Sequence, residues 1–226
     1  MTDSPQNPNH EITSDNSEQQ ENTLTVSNVA LEVSSSITPS EKIYIASSDG
    51  KLRQGEILSN IIQVKIKVES LRTGNIEATQ ILHPFAVVIS QDCDCEQDFN
   101  CRKNNVISDK ILPSILFCEV MTAEELRGYK DIKSDIWKQV KINKNERYQF
   151  LEKVPTEDDI LGEGLPELGL DFKRYFTVPT DEVYYRIETG EVKRRCRLIS
   201  PYMEHLSARF SHFLHRIALP NDHASE

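Results

Sequence analysis

No apolar run in this chain approaches the roughly 20 residues a membrane-spanning helix needs. Its first residues, Met1-Thr2-Asp3-Ser4-Pro5, lack the basic and apolar regions of a signal peptide. The expectation is a soluble, intracellular, cytoplasmic protein with no membrane partner. The sequence also lacks a Cys-x-x-Cys pair. Its five cysteines are an odd number and three fall within residues 93–101, which argues against a secreted disulfide framework and for reduced thiols or a metal site. The first forty residues hold six acids, no Lys, no Arg and no aromatic residue. A stretch so polar cannot bury enough apolar surface to offset the entropy of ordering, so residues 1–40 are predicted to be a disordered tail. Residues 41–220 then form a single globular domain, and 221–226 a second short tail.

The formal charge of −10 is concentrated in that first tail, since the rest of the chain carries 30 acids against 26 Lys and Arg. Residues 192–216 reverse the balance, with six Lys or Arg and one acid, Glu204. Such asymmetry marks either an anion-binding face or simply a solvated one.

The domain reads as α+β, mainly β. Residues 85–89, Phe-Ala-Val-Val-Ile, are an unbroken apolar run opened by Pro84 and closed by Ser90-Gln91-Asp92, the pattern of a strand buried on both faces. Around it, Ile43 to Ile45 and the alternating Ile62, Val64, Ile66 and Val68 predict further strands, the latter half-buried. Residues 111–120 and 172–178 add two more. Residues 183–187 and 192–198 read as a hairpin, while 96–109 and 155–170 read as loops. Thr122 with Glu125 has capping-box spacing, so a helix should start there and end at Gly128; another is expected near 134–140. A last helix, with Ser200 as N-cap and Pro201 in its first turn, should bury Met203, Leu206, Phe210, Phe213, Leu214 and Ile217. Short strands with glycine turns suggest a small barrel or sandwich.

Three groups of residues carry candidate chemistry. Cys93, Cys95 and Cys101 are soft ligands that would suit zinc, with Cys118 or a histidine completing a tetrahedron, although Cys-x-Cys lacks the usual zinc knuckle. Cys93 is a candidate nucleophile, but Asp92 and Asp94 flank it and oppose a thiolate. His83, at the far end of an extended strand, is too distant to serve as its base. Asp92 and Asp94 themselves would hold a cation, act as acid and base, or merely cap a turn. The third group is basic: Arg194, Arg195 and Arg197 on the predicted hairpin, with His205, Arg209, His212 and Arg216 in line on the last helix. With Tyr184, Tyr185 or Tyr202 as stacking platforms, these would suit single-stranded RNA or another acidic partner.

Residues 52–58, Leu-Arg-Gln-Gly-Glu-Ile-Leu, followed by residues 83–90, His-Pro-Phe-Ala-Val-Val-Ile-Ser, resemble the opening pattern of the MazF/PemK family of SH3-like barrel endoribonucleases. The strand ending at Val120-Met121-Thr122 is similar to that family's strand with a functional threonine. The likeness covers about residues 52–122. It implies an SH3-like barrel, elaborated here by extra strands and the C-terminal helix, and it makes His83 and Thr122 candidate site residues. His83 stands where the family has an arginine used in RNA cleavage, and about one hundred further residues follow. The functional expectation is an intracellular binding or regulatory module, RNA-binding and of a toxin or defence type, with no cofactor. The alternatives are an endoribonuclease or hydrolase centred on Asp92, Cys93 and Asp94, and a zinc-stabilised module that binds a partner protein.

Overall fold

Strands β1 (Tyr44–Ile45), β2 (Glu56–Ile66), β3 (Ala78–Val88), β4 (Ser114–Thr122), β5 (Tyr148–Leu151), β6 (Leu168–Pro179) and β7 (Lys193–Leu198) pair into one sheet. Every pairing is antiparallel, in the order β1-β7-β2-β3-β4-β6-β5. The computed structural model describes residues 42–46 and 49–215. The tails expected at 1–40 and 221–226, and the site candidate Arg216, lie outside the described residues.

The architecture is α+β and mainly β, as the apolar patterning predicts. β3 is the middle strand of seven, and Ala86, Val87 and Val88 are wholly buried because both faces of the sheet are covered. On one face a single apolar cluster takes a residue from each strand and closes under helix α6 (Tyr202–Leu214) through Leu206, Phe210 and Phe213. On the other, Leu58, Ala86, Val88, Phe117 and Val178 pack with helices α2 (Asp92–Lys103) and α5 (Thr180–Glu188) through Cys95 and Val183. β2 and β6 approach each other although two strands lie between them, so the sheet curls into a barrel-like form. Gly55 lies just before β2, where its φ of +75° favours glycine and an ideal Cβ would crowd Leu198 at 3.2 Å and Met203 at 3.3 Å.

Two expected elements differ, one through charges along the helix and one through the surface it packs on. Residues 96–109 were expected to form a loop, yet Asp92–Lys103 is helical. Asp92 and Asp94 lie in its first turn, Arg102 and Lys103 in its last, and Asp98 pairs with Arg102 at 2.8 Å, so the helix is supported by charge rather than by an apolar period. The first arm of the expected hairpin is α5 instead. Its Val183, Tyr184 and Ile187 share a helical face against the sheet, and Arg186 bonds Glu182 at 2.9 Å, one turn back. The capping box of Thr122 and Glu125 is present and starts helix α3 (Ala123–Arg127). Helix α4 (Ser134–Lys141) follows, packing Val140 on β5.

β2 also departs from its predicted burial. Its sequence alternates, but Val64 and Ile66 are 49% and 51% exposed, and Val68, expected on the same strand, opens helix α1 at 63% exposure. β7 last pairs with β2 at Ser59 and β4 first pairs with β3 at Phe85, so beyond these points the two strands run on as a two-stranded arm, buried at its base at Ile61 and His83 and exposed further out. At its base Asn60 adopts φ 65°, across from Pro84, which has no N–H for the ladder. The arm ends in helix α1 (Val68–Thr73).

Candidate functional site

The polar end of β3, first of the expected sites, is a structural joint. Asp92 opens α2 and accepts from Arg53 Nε at 2.8 Å and from the Gln54 amide at 3.1 Å, which ties the helix to the turn before β2. Gln54 in turn donates to the Ile89 carbonyl at 3.0 Å. Cys93 and Asp94 point outward and are exposed. Among the described residues neither His205 nor His212 bonds Asp92 or Cys93; the thiol instead donates to Gln91 Oε1 and Asp94 Oδ1, each at 3.7 Å.

The helix also dissolves the expected metal cluster. At about 100° per residue, positions 93 and 95 fall on opposite sides of α2. Cys93 is exposed, Cys95 is buried and Cys101 is half-buried. Burial, with Asp92 and Asp98 nearby, pushes the Cys95 thiol up to about 12. Among the described residues no three His, Cys, Asp or Glu side chains are placed to hold an ion.

The basic candidates are largely consumed within the fold. Arg195 forks onto Asp159 at 2.9 and 2.7 Å, both side chains buried, and Asp159 also accepts from the amides of Glu163 and Gly164. Arg194 pairs with buried Glu56 at 3.3 Å and donates to the Gly50 carbonyl. Arg209 straps α6 to the α4–β5 loop through the carbonyls of Asn143, Asn145 and Tyr148. Arg197 is half-buried near Glu56, while His205 and His212 are exposed on α6. A continuous phosphate-tracking stripe across β7 and α6 is therefore not formed. Three of its cations hold the protein's own carboxylates and carbonyls.

Midway along β3 the structure assembles what the sequence kept apart. His83 is 6% exposed, and its ring stacks on Phe176 with centroids 3.9 Å apart. Its Nδ1 lies 3.5 Å from Glu119 Oε1, at ion-pair distance without hydrogen-bond alignment, and neither ring nitrogen has a hydrogen-bond partner. Glu119 also bonds Arg174, which donates to the Tyr129 hydroxyl at 3.0 Å. Burial pushes the Glu119 carboxyl up, but His83 and the Arg174 guanidinium outweigh it and hold the carboxyl below its ordinary value.

Two depressions meet at this pair. One, of about 270 Å³, is bounded by Gln63, Lys65 and His83 from the arm and by Lys173, Arg174 and Tyr175 from β6. The other, of about 350 Å³, is lined by Phe85, Thr122, Glu125 and Tyr129, and shares Glu119 and Arg174. No protein-family model, curated protein or solved structure matches this chain. His83 and Thr122 are the residues that the expected resemblance to MazF/PemK singles out.

Both residues taken from that resemblance border these depressions. Thr122 contributes little chemistry, because its hydroxyl accepts from the Glu125 amide at 3.1 Å as the helix cap. Glu119, Arg174, Lys65 and Lys173 escaped the sequence reading. Glu119 alone left a trace, as a single acid interrupting the apolar run of β4. Nothing in the sequence links Arg174, 55 residues away, to it.

Proposed function

We propose that the chain is an RNA-binding module of the MazF/PemK type, with the depression around His83, Glu119 and Arg174 receiving a phosphate of single-stranded RNA. The observation that carries this reading is His83 itself. It is a buried imidazole whose nitrogens make no aligned hydrogen bond, with Nδ1 3.5 Å from the Glu119 carboxylate, and it borders an opening that Lys65, Lys173 and Arg174 make positive. Leaving such a group unpaired costs free energy, and a ligand oxygen would recover it. Tyr175, 48% exposed on the rim, offers a ring for an unstacked base.

Anisotropy of a labelled single-stranded RNA tests this. Affinity should fall steeply with salt, and Lys173→Ala or Arg174→Ala should each weaken it about tenfold and lower the salt slope by roughly 0.7. Cys93→Ser should change neither. A salt-independent affinity, or one indifferent to both substitutions, would overturn the proposal.

The 3.5 Å approach of His83 to Glu119 favours a second reading, endoribonuclease action at the same place. His83 would take the 2′-hydroxyl proton, the 2′-oxygen would attack the adjacent phosphorus held by Arg174, and the P–O5′ bond would break to give a 2′,3′-cyclic phosphate and a 5′-hydroxyl protonated from water. The binding assay discriminates. Bound RNA would be cut, 2′-deoxy substrate would not, and His83→Ala would abolish cutting. Production of an active chain in a bacterium would then arrest growth, as expected of a toxin.

A further inference from the structure

The depression beside His83 holds more positive charge than one internal phosphate of a strand can answer. Lys65 on the arm and Lys173 and Arg174 on β6 border it, and Glu119 is the one carboxylate among its lining residues. That carboxylate is already matched by Arg174. Lys65 and Lys173 are exposed, and among the described residues neither pairs with an acid. Three cations against one carboxylate leave the opening with an excess of two positive charges. Its neutral donors are also unspent. The Gln63 amide comes from the arm, and His83, 6% exposed with neither ring nitrogen hydrogen-bonded, borders the same space.

Phosphate esters differ in what they bring to such a place. A phosphodiester inside a strand has one negative charge and two free oxygens. A monoester at a strand end carries about −1.5 to −2 at neutral pH and three strongly accepting oxygens. We infer that the depression receives the terminal phosphate of a single-stranded RNA, a 5′- or 3′-phosphomonoester, rather than a phosphodiester within the strand; this rests on the RNA-binding function proposed above. The two uncompensated ammonium groups answer the dianion, and Gln63 and His83 supply donors for the remaining oxygen. The adjoining depression suits the nucleoside that bears the phosphate. It shares Glu119 and Arg174, measures about 350 Å³, and is lined by Phe85, Val120, Met121 and Tyr129. Unstacked bases are held by aromatic side chains of this kind.

Anisotropy of one oligoribonucleotide sequence with an internal fluorophore, measured against the full chain, tests this. The RNA is prepared with hydroxyls at both ends, with a 5′-phosphate, with a 3′-phosphate, with the methyl ester of each phosphate, and as a circle. At least one phosphorylated form should bind about tenfold or more tightly than the hydroxyl form, the difference expected for one charge-assisted contact. Which end gains identifies the source of the phosphate. The methyl ester, which keeps the phosphorus but has the charge of a diester, should bind like the hydroxyl form, and so should the circle. Lys65→Ala combined with Lys173→Ala, both at exposed positions, should abolish the gain. Equal binding of all forms would overturn the inference and leave RNA binding itself standing. A methyl ester as tight as the free phosphate, or a gain that survives loss of both lysines, would do the same. Absence of binding by every form would overturn the RNA-binding function and the inference together.

Discussion

Glu56 is 1% exposed at the start of β2, and burial pushes its carboxyl from the ordinary 4.5 up to about 7 against the pull of Arg194. In that interval the folded protein holds a proton that the unfolded chain has released. The contribution of Glu56 is therefore fully present below about 4.5 and is lost as pH rises through about 7, a change on the order of 3 kcal/mol. Asp159 has the opposite sign. Burial raises its carboxyl, but the Arg195 guanidinium and backbone amides outweigh that and hold it low, so its contribution is lost only in acid. Chemical denaturation across pH should thus show maximal stability on the acid side of neutrality, and Glu56→Gln should flatten the decline between pH 5 and 8. An unaltered slope in that variant would show that another group sets it.

Among the elements, α3 joins the sheet to the candidate site. Thr122 caps it, Glu125 returns a bond to the Thr122 amide at 2.8 Å, and Leu126 fits so closely over β6 that a Cβ on Gly169 would come within 2.4 Å of it. Thr122→Ala should cost about 1 kcal/mol of stability, the usual loss of a cap, and leave RNA affinity unchanged in a denaturation and anisotropy pair. A large affinity loss at unchanged stability would return the hydroxyl to the site. The arm is the other informative element. Its alternation is that of an amphipathic strand, yet β7 and β4 stop short of it, so one face borders the depression and the other is open.

Over the whole molecule, one barrel-like sheet is closed by α6 on one face and by α2 with α5 on the other. Phe210 is central to the first closure, edge-on to Phe172 and Tyr175 at 5.7 Å each. Phe210→Ala should cost about 3–5 kcal/mol in a denaturant titration, a core-cavity loss; a cost under 1 kcal/mol would mean that α6 only rests on the sheet. Local sequence by itself determined that residues 85–88 belong to the central strand, that the Thr122 capping box starts a helix, and that the last helix buries Leu206, Phe210 and Phe213, although Leu214, expected on the same stripe, is 52% exposed. Those are local signals, carried by neighbours in the chain. Whether residues 183–187 became helix or strand was decided by the surface they pack on, because their apolar content suits either period. Which cations remained available was likewise decided by long-range pairing: Arg195 is held by Asp159, 36 residues away, while Arg174 meets Glu119, which His83 also approaches. Charge in a sequence has no address until the fold sets its distances.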